Sequence, residues 1–543
     1  MHASLRCAAL LGTSALPIDV QVDLALGLPG FVVVGLPDMA CVDAKVRCAT
    51  AIRNSGYELP HKRITVNLAP GDLRKEGASF DVPIALAVLQ AAGLIPPATV
   101  ATLAVGELSL SGEILPVRGV LPIALLARAI GVERMIVPEV NAAEAALAQG
   151  LEVHGVRTLA DAAAAFTGEL AFPPGPAEAT ALPAETRPDL SEVRGQGFCK
   201  RALEIAAAGA HSALLVGPPG AGKTMLARRM PGLLPALTFE EAVEATSIWS
   251  VAGKLRHGQG LLSERPFRAP HHTISVAGLV GGGSPPRPGE VSLAHNGLLF
   301  LDELPEFGRA ALEALRQPLE DGEVAVVRVR GAAVLPARFM LLAAMNPCPC
   351  GHEGETATPA RCNCTVLQKE GYRRRVSGPI LDRFDLHVEA RALSPSELSG
   401  PSTGETSDAV RARVEAARAR QQERFRGLRG VHANSQLRGR ALRELCGASS
   451  AALALLARSM ERLGLSARAH DRILKLARTI ADLENVRGVE APHVAEAVQL
   501  RCLDRAVTGR SAEKVPTHQL ARAAVLRANA PGTSPGPITQ EGT

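Results

Sequence analysis

Apolar and polar positions follow two different periods along the first 168 residues. Strand-like runs at 20–24 and 31–34 precede stretches at 79–92 and 123–130 in which apolar residues recur at helical spacing. A further strand-like run follows at 135–137. Because strand and helix patterns alternate, we predict a mixed α/β domain over residues 1–168.

The pattern changes three times in the rest of the chain. Residues 169–189 are rich in proline and alanine, which predicts a linker. Strand and helix patterns alternate again over 190–391, and Ala, Leu and Arg at helical spacing dominate 392–526. Residues 527–543 have the proline and glycine content of a disordered tail. We therefore predict an α/β fold class, with two α/β domains followed by a helical C-terminal domain.

A phosphate-binding loop is the most specific motif in the sequence. The apolar run at 213–216 leads into a glycine-rich loop and then into a helical pattern. Backbone N–H groups of such a loop turn onto phosphate oxygens, while its lysine reaches the β- and γ-phosphates and its threonine hydroxyl ligates Mg²⁺. We predict that ATP is bound by Gly217, Pro218, Pro219, Gly220, Ala221, Gly222, Lys223 and Thr224. The alternative is a glycine- and proline-rich turn without a ligand, which would not require the complete motif.

Two further apolar strands end in polar residues. The run at 298–301 is followed by Asp302 and Glu303, and the run at 339–345 is followed by Asn346. We assign Asp302 to the Mg²⁺ shell and Glu303 to the attacking water, which Asn346 could position beside the γ-phosphate. Without the phosphate-binding loop, the two acids would be an ordinary strand edge and Asn346 a turn residue.

Composition narrows the classes of function. Hydrophobic residues make up 47% of the 543 residues and charged residues 21%, which excludes global disorder. Aromatic residues make up only 3%, which argues against a stacking platform for single strands. The net charge is +5, and the basic excess lies after Arg391, where it suits either a polyanion or a solvated helical surface. Neither a membrane-spanning run nor a signal peptide is recognisable, so we expect a cytoplasmic protein with no membrane partner.

Four of the ten cysteines form a cluster, Cys348, Cys350, Cys362 and Cys364. Four thiolates at this proximity predict a closed, structural Zn²⁺ site, in which His352 could replace one cysteine. Reduced free thiols and an iron–sulfur centre are the alternatives.

Several motifs together resemble a known family. The order of the phosphate-binding loop, Leu-Phe-Leu-Asp-Glu-Leu at 299–304, Ala-Met-Asn-Pro at 344–347 and Leu-Asp-Arg-Phe-Asp at 381–385 resembles AAA+ ATPases of the magnesium-chelatase-like group. The runs Arg-Ala-Pro-His-His-Thr-Ile-Ser at 268–275 and Gly-Glu-Val-Ser-Leu-Ala-His-Asn-Gly at 289–297 are similar to the ComM/YifB family. That resemblance covers nearly the whole chain. It implies a P-loop AAA+ core, a helical lid, a homo-hexameric ring, and ATP-driven branch migration or helicase activity on branched or single-stranded DNA in recombination or natural transformation.

The resemblance also implies roles for two arginines. Arg383 matches the arginine finger that reaches a neighbouring subunit's γ-phosphate, and Arg468, in Gly-Leu-Ser-Ala-Arg-Ala-His at 464–470, matches the sensor arginine of the lid. A structural salt bridge from Arg383 to Asp382 or Asp385 is the alternative.

Two basic segments are candidate DNA contacts. The run at 323–335 predicts a β-hairpin that carries Arg328 and Arg330 at or near its tip, where both could contact DNA phosphates. A solvated hairpin is an equal alternative. Seven arginines between positions 411 and 429 predict either a DNA-facing helix or a solvent-facing helix with local ion pairs to Glu415 and Glu423.

The N-terminal domain resembles the Lon protease domain in two segments, 73–81 and 112–122. The position that matches the catalytic lysine of Lon is Leu121, which cannot take a proton from a serine nucleophile. We therefore predict a non-proteolytic domain in which Ser79 is a helix N-cap. A protein-remodelling ATPase with a protein partner is the main alternative to the DNA motor, and an ATP-dependent serine protease is disfavoured.

Overall fold

The computed structural model describes residues 2–169, 188–256, 258–283, 286–328, 331–354, 362–394, 397, 404–428, 430–501 and 503. Most of the predicted linker and the whole predicted tail lie outside these residues. Among the helices described, none combines the length and apolar character that crossing a bilayer requires. The division of the chain into domains stays a prediction, so we describe the elements in chain order.

The N-terminal unit is built on a mixed seven-stranded sheet of order β3-β4-β2-β1-β5-β8-β9. Strands β1, β2 and β4 are antiparallel neighbours, whereas β3 pairs parallel with β4, and β5, β8 and β9 continue from β1 in parallel. Its strands, with the hairpin β6–β7, are β1 (His2–Leu11), β2 (Ser14–Ala25), β3 (Gly30–Val34), β4 (Arg63–Ala69), β5 (Thr102–Ala104), β6 (Glu107–Leu108), β7 (Ile114–Leu115), β8 (Arg134–Pro138) and β9 (Glu152–Val156).

Five helices cover this sheet. They are α1 (Met39–Asn54), α2 (Asp81–Ala91), α3 (Val120–Ala129), α4 (Ala142–Ala145) and α5 (Leu159–Thr167). Helix α2 is apolar on almost every side and buried along nearly its whole length, so it forms the centre of the N-terminal core. The prediction of a mixed α/β N-terminal unit is confirmed.

The predicted N-cap role of Ser79 is wrong. Helix α2 begins at Asp81, its cap position is Phe80, and no side chain caps it. The buried Asp81 carboxylate instead accepts hydrogen bonds from Arg47 Nε (2.6 Å) and from the Leu108 N–H (3.2 Å). Ser79 contributes its backbone carbonyl, which accepts from the Gly106 N–H at 3.0 Å. The start of the helix is therefore fixed by long-range contacts of Asp81, and local capping by serine has no part in it.

The second unit contains a parallel five-stranded sheet of order β11-β14-β17-β10-β18. Alternate residues of β10 enter different cores, Ala213 and Leu215 on one face and Leu214 and Val216 on the other. Both faces are covered, as is usual for parallel sheets. The strands of this unit, including two separate hairpins, are β10 (Ala213–Val216), β11 (Phe267–Arg268), β12 (Gly281–Gly282), β13 (Arg287–Pro288), β14 (Leu298–Leu301), β15 (Glu323–Arg328), β16 (Gly331–Pro336), β17 (Met340–Met345) and β18 (Leu386–Glu389).

Helices surround the second sheet and continue into the C-terminal region. Those of the second unit are α6 (Gly197–Gly209), α7 (Lys223–Arg229), α8 (Phe239–Val251), α9 (Val276–Val280), α10 (Glu290–Leu293), α11 (Arg309–Ala314), α12 (Arg316–Asp321), α13 (Val366–Arg373) and α14 (Gly378–Leu381). The C-terminal region contains α15 (Ser407–Arg424), α16 (Gly439–Cys446), α17 (Ser450–Leu463), α18 (Ala467–Leu483) and α19 (Ala491–Gln499). The predicted parallel sheet and helical C-terminal region are confirmed.

The arginines of α15 fix this helix to its neighbours. Arg413 pairs with Glu204 of α6 (2.6 Å), Arg418 donates to the Ala207 carbonyl (3.0 Å), and Arg424 pairs with Asp482 of α18. Burial lowers the pKa of Arg418 to about 10. These contacts are structural. Arg411 also makes local ion pairs with Asp408 (2.7 Å) and with Glu415 (3.9 Å), and the pair with Glu415 is one that the sequence predicts for a solvent-facing helix.

Candidate nucleotide site

The residues predicted to bind nucleotide lie at the carboxyl edge of the parallel sheet. The phosphate-binding loop follows β10, Asp302 follows β14, and Asn346 follows β17. These three strands are neighbours, in the order β14-β17-β10. Because the carboxyl ends of parallel strands meet at one edge, side chains more than 120 positions apart in sequence line one cavity of about 380 Å³.

The loop adopts a backbone that requires glycine at specific points. Gly220 and Gly222 have left-handed φ angles of +77° and +81°, and a Cβ at either position would meet open space. A Cβ on Gly217 would lie 2.0 Å from the Ala390 carbonyl oxygen. The glycines thus open the cavity side of the loop and let its other side pack on the end of β18.

Lys223 is aimed across the loop. Its ammonium donates to the carbonyl oxygens of Gly217 (2.7 Å) and Pro218 (2.8 Å) and to Asn346 Oδ1 (3.1 Å). The side chain is buried, and this burial lowers the pKa of Lys223. A partly desolvated ammonium interacts more strongly with a phosphate than one in water does, so this placement fits an anionic ligand.

Thr224 and Asp302 form the second polar pair of the cavity. The threonine hydroxyl donates to Asp302 Oδ2 at 2.5 Å, and Asp302 Oδ1 accepts from the Glu303 N–H at 3.0 Å. A hydroxyl and a carboxylate in contact are oxygen ligands of the kind that Mg²⁺ prefers. The donor set therefore fits a Mg²⁺ ion bound together with a nucleotide.

Glu303 lies at the rim of the cavity with a left-handed φ of +53°. Its carboxylate is exposed and lies 3.5 Å from His272 Nδ1. His272 itself contacts the rings of His271 and Phe307. In the sequence, the two histidines stand out only as part of a family motif, and no local signal indicates the contact between His272 and Glu303.

The sequence also gives no indication that Tyr372 lies against the strand end at Asn346. This buried tyrosine of α13 lies beside the backbone of Asn346, and burial raises the pKa of its hydroxyl to about 12. It thereby fixes the strand end from which the Asn346 side chain reaches Lys223.

Arg383 and Arg468 lie close to each other but do not line the cavity. Arg383 is mostly buried and pairs with Glu320 of α12 rather than with Asp382 or Asp385, the predicted alternatives. Burial, reinforced by neighbouring arginines, lowers the pKa of Arg383. The exposed Arg468 pairs with Asp382 at 3.3 Å.

The four clustered cysteines lie beside the phosphate-binding loop. The four Sγ atoms all lie within 4.8 Å of one another. The Sγ–Sγ distances among Cys348, Cys350 and Cys362 are 3.4–3.7 Å. The pKa values of these thiols shift in opposite directions: backbone hydrogen bonding lowers the pKa of Cys350 to about 6, whereas burial raises the pKa of Cys348 to about 12. The fit to a metal therefore rests on the positions of the sulfurs. His352 is not among the residues that could ligate a metal here. The four thiols therefore fit the predicted Zn²⁺ site.

The predicted basic hairpin is present as β15 and β16, with Arg328 opposite Gly331 at its end. Arg330 lies outside the described residues. Two arginines that lie before this hairpin in the sequence are paired within the protein, Arg265 with Glu241 (2.7 Å) and Arg268 with Glu290 (2.6 Å). None of the described residues of the hairpin lines the nucleotide cavity.

The sequence matches three protein-family models that together cover most of the chain. They are described as subunit ChlI of Mg-chelatase (residues 20–141), magnesium chelatase subunit ChlI (residues 189–398) and magnesium chelatase subunit ChlI C-terminal (residues 404–501). The models thus match the N-terminal unit, the unit with the nucleotide cavity and the helical region separately.

The chain is also similar to curated bacterial proteins over nearly its full length. It is 45% identical over 499 residues to YifB, an uncharacterized protein of Salmonella typhimurium. The matched stretch covers 92% of this chain and 96% of that protein. The corresponding protein YifB of Escherichia coli is 44% identical over 500 residues, with coverage of 92% and 96%. The competence protein ComM of Haemophilus influenzae is 42% identical over 503 residues, with coverage of 92% and 97%.

Proposed function

The chain belongs to the ComM/YifB family of magnesium-chelatase-like ATPases, and from that membership we propose that it is a ring-forming motor that couples ATP hydrolysis to the movement of branched DNA. The observation that carries the ATPase part is the convergence of Lys223, Thr224, Asp302, Glu303 and Asn346 on one cavity. The DNA part is supported by the competence role in the name of one relative.

Each residue of the cavity has a distinct task in this proposal. The loop amides and Lys223 bind the β- and γ-phosphates, and Thr224 and Asp302 hold Mg²⁺, which supplies charge neutralisation when it is bound. Glu303 accepts the proton of the attacking water. Asn346 bonds to Lys223 and thereby keeps the ammonium and its own amide beside the γ-phosphate.

Arg383 acts between subunits in this proposal, and Arg468 keeps the role of the sensor arginine of the helical lid. Neither Arg383 nor Arg468 lines the cavity of its own protomer. We assign Arg383 to the γ-phosphate of a neighbour in a homo-hexamer. An arginine finger contributes about 10³–10⁵ in rate, so hydrolysis would depend on assembly. To take this role, Arg383 must exchange its ion pair with Glu320 for the phosphate.

Mixing two inactive variants tests the transfer of Arg383 between subunits. Lys223→Ala protein keeps its finger but loses phosphate binding, and Arg383→Ala protein keeps the site but loses the finger. Mixed rings contain complete interfaces, so the mixture should recover part of the ATPase rate that both variants lack. A mixture as inactive as its components would remove the role in trans.

Arg328 and Arg330 are the proposed DNA contacts. Arg328 ends strand β15 of the hairpin, and Arg330 follows two positions later in the sequence; two basic residues so close together suit sequence-independent contacts to phosphates. A double Arg328→Ala/Arg330→Ala variant should bind DNA with a salt slope reduced by about two. An unchanged salt slope would exclude the hairpin.

A protein-remodelling ATPase is the second candidate, because all three matched family models describe a magnesium chelatase subunit. Steady-state ATPase assays with four-way DNA, linear duplex and no DNA separate the two. Stimulation by branched DNA supports the motor, whereas stimulation by a protein partner alone supports remodelling. A serine protease is disfavoured, because Leu121 is buried and no base stands at its position.

We also propose that the cysteine cluster binds one structural Zn²⁺ and that the protein works in the reducing cytoplasm. Nine described cysteines are free thiols. Elemental analysis of the purified protein should find about one zinc per chain. A protein without stoichiometric metal would remove this assignment.

A further inference from the structure

We propose that the four-cysteine site is a metal-dependent support for the nucleotide site, so that metal loading sets the affinity for ATP. Cys348, Cys350, Cys362 and Cys364 are called the cysteine knuckle below. The proposal rests on the proposed ATPase function and adds a regulated element to that site. Three observations on the knuckle and its surroundings support the proposal.

The first observation is the geometry of the knuckle. Four sulfurs that surround Zn²⁺ at 2.3 Å in a tetrahedron lie about 3.8 Å from each other. Among Cys348, Cys350 and Cys362 the Sγ–Sγ distances of 3.4, 3.7 and 3.6 Å are close to that value, and the Sγ of Cys364 lies within 4.8 Å of all three. Four thiolates fill a tetrahedral shell, so the metal would have no position left for substrate, and its effect must pass through the protein.

The second observation is a direct contact between the knuckle and the phosphate-binding loop. The turn from Cys348 is closed by a hydrogen bond from the Gly351 N–H to the Cys348 carbonyl (3.0 Å). A Cβ on Gly351 would lie 2.4 Å from Cδ of Pro219, a lining residue of the cavity. The turn therefore packs directly against the loop, with no room for an added methyl group. We expect a shift of the turn to change the position of Pro219.

The third observation is that both ends of the knuckle meet at Asn346. This residue precedes Cys348 by two positions, and its side chain accepts from Lys223. After Cys364 the chain enters α13, whose buried Tyr372 lies beside the Asn346 backbone. A metal that joins Cys348 and Cys350 to Cys362 and Cys364 closes a ring of contacts around the strand end that holds Asn346.

Loss of the metal would open this ring. The two cysteine pairs are separated in sequence, and without a shared ion their thiols have no strong mutual attraction. The Cys348 turn would then no longer press on Pro219, and Asn346 would lose one of its two supports. Both changes disturb the groups that face the phosphates, so ATP affinity falls while the sheet stays intact.

Two glycine variants separate this contact from general backbone strain. Gly351 and Gly354 both have left-handed φ angles, +85° and +77°, so alanine strains either position. Only at Gly351 does the new Cβ meet Pro219; at Gly354 it meets none of the described atoms within 4 Å. Neither substitution removes a ligand, so zinc content should stay at the wild-type value in both.

Equilibrium titration with a fluorescent ATP analogue, without DNA and without turnover, is the readout. Gly351→Ala should weaken binding by about tenfold and Gly354→Ala by less than about twofold. Wild-type protein stripped with a chelator should weaken similarly and recover when Zn²⁺ alone is added. This second arm decides the question if Gly351→Ala does not fold.

Equal affinities for the two glycine variants, or unchanged affinity in the stripped protein, would overturn the support role. Wild-type protein that binds no ATP would contradict the proposed ATPase itself. Wild-type protein that binds ATP but ignores both perturbations would contradict only the inference about the knuckle.

Discussion

The nucleotide site and the 70–121 region of the N-terminal unit both include a stretch between a strand and a helix, but they use their polar groups in opposite ways. At the nucleotide site, Lys223, Asp302 and Asn346 converge on an open cavity. In the N-terminal unit, the buried Lys75 ammonium donates to the Pro70 carbonyl, and the buried Asp81 pairs with Arg47. A motif indicates chemistry only where its polar groups face space that a ligand could fill.

Some polar groups of the N-terminal unit contact helix α8 of the second unit. The buried Leu121, which the resemblance to Lon matches to a catalytic lysine, donates its N–H to Glu144 Oε1 at 2.8 Å. The same carboxylate oxygen is hydrogen-bonded to the hydroxyl of Ser250 on α8. The Gly119 N–H donates to the Ser250 carbonyl at 3.3 Å. The segment that resembles a protease site is therefore an interface with the nucleotide-binding unit.

The largest expected effect lies in the nucleotide cavity. Glu303→Gln should lower the ATPase rate by at least about 100-fold, because an amide cannot accept the proton of water. Binding of ATP should be retained, since the phosphate-binding groups are unchanged. Ser79→Ala is the matched variant in the N-terminal unit and should leave the rate unchanged. Equal losses in both variants would contradict the contrast between the two regions.

The next effect is on stability in the N-terminal unit. Asp81→Ala leaves Arg47 partly buried without its carboxylate and should cost about 3–5 kcal/mol of unfolding free energy. Asp43→Ala, an exposed change on α1, should cost less than about 0.5 kcal/mol. Thermal unfolding of the full chain, followed by circular dichroism, compares the two. Matching midpoints would show that the Asp81–Arg47 pair contributes nothing.

A smaller effect is expected where the two units meet. Ser250→Ala removes one of the two hydrogen bonds to Glu144 Oε1 and should cost about 1 kcal/mol. Hydrogen exchange at the start of α3 should then accelerate by about fivefold. If exchange there stays at the wild-type rate, the docking contact does not hold α3.

The smallest effect depends on pH. A hydrogen bond from His295, with help from Asn296 and Arg338, lowers the pKa of Glu244 to about 2. Because this folded pKa lies below the unfolded value, the stabilisation is present above about pH 4.5 and is lost as pH falls toward 2. The gap in stability between wild type and Glu244→Gln should therefore shrink over that window. A gap that stays constant from pH 6 to 3 would contradict it.

The sequence alone predicts the elements whose signals are local. The phosphate-binding loop has fixed spacing, and Asp302 and Asn346 follow apolar strands directly, so their convergence follows from parallel pairing. The parallel sheet and the helical C-terminal region have clear periodic patterns. These predictions need no knowledge of distant contacts.

The sequence alone does not predict contacts between residues that lie far apart in the chain. The start of α2 depends on Asp81 meeting Arg47 and Leu108, which no local capping rule includes. Arg383 pairs with Glu320, 63 positions away, although two acidic residues are closer in sequence. The contact of Gly351 with Pro219 joins two loops that carry no shared motif. In each case the tertiary partner, and not the local sequence, decides what the residue does.

The most direct test of the account is the steady-state ATPase rate of wild type and Glu303→Gln with four-way DNA, with linear duplex and without DNA. We expect wild-type hydrolysis to be strongly stimulated by four-way DNA, less by duplex, and to be absent in the variant. A wild-type protein that does not hydrolyse ATP would contradict the assignment of the cavity. Hydrolysis indifferent to every DNA would contradict the DNA motor and leave the nucleotide site in place.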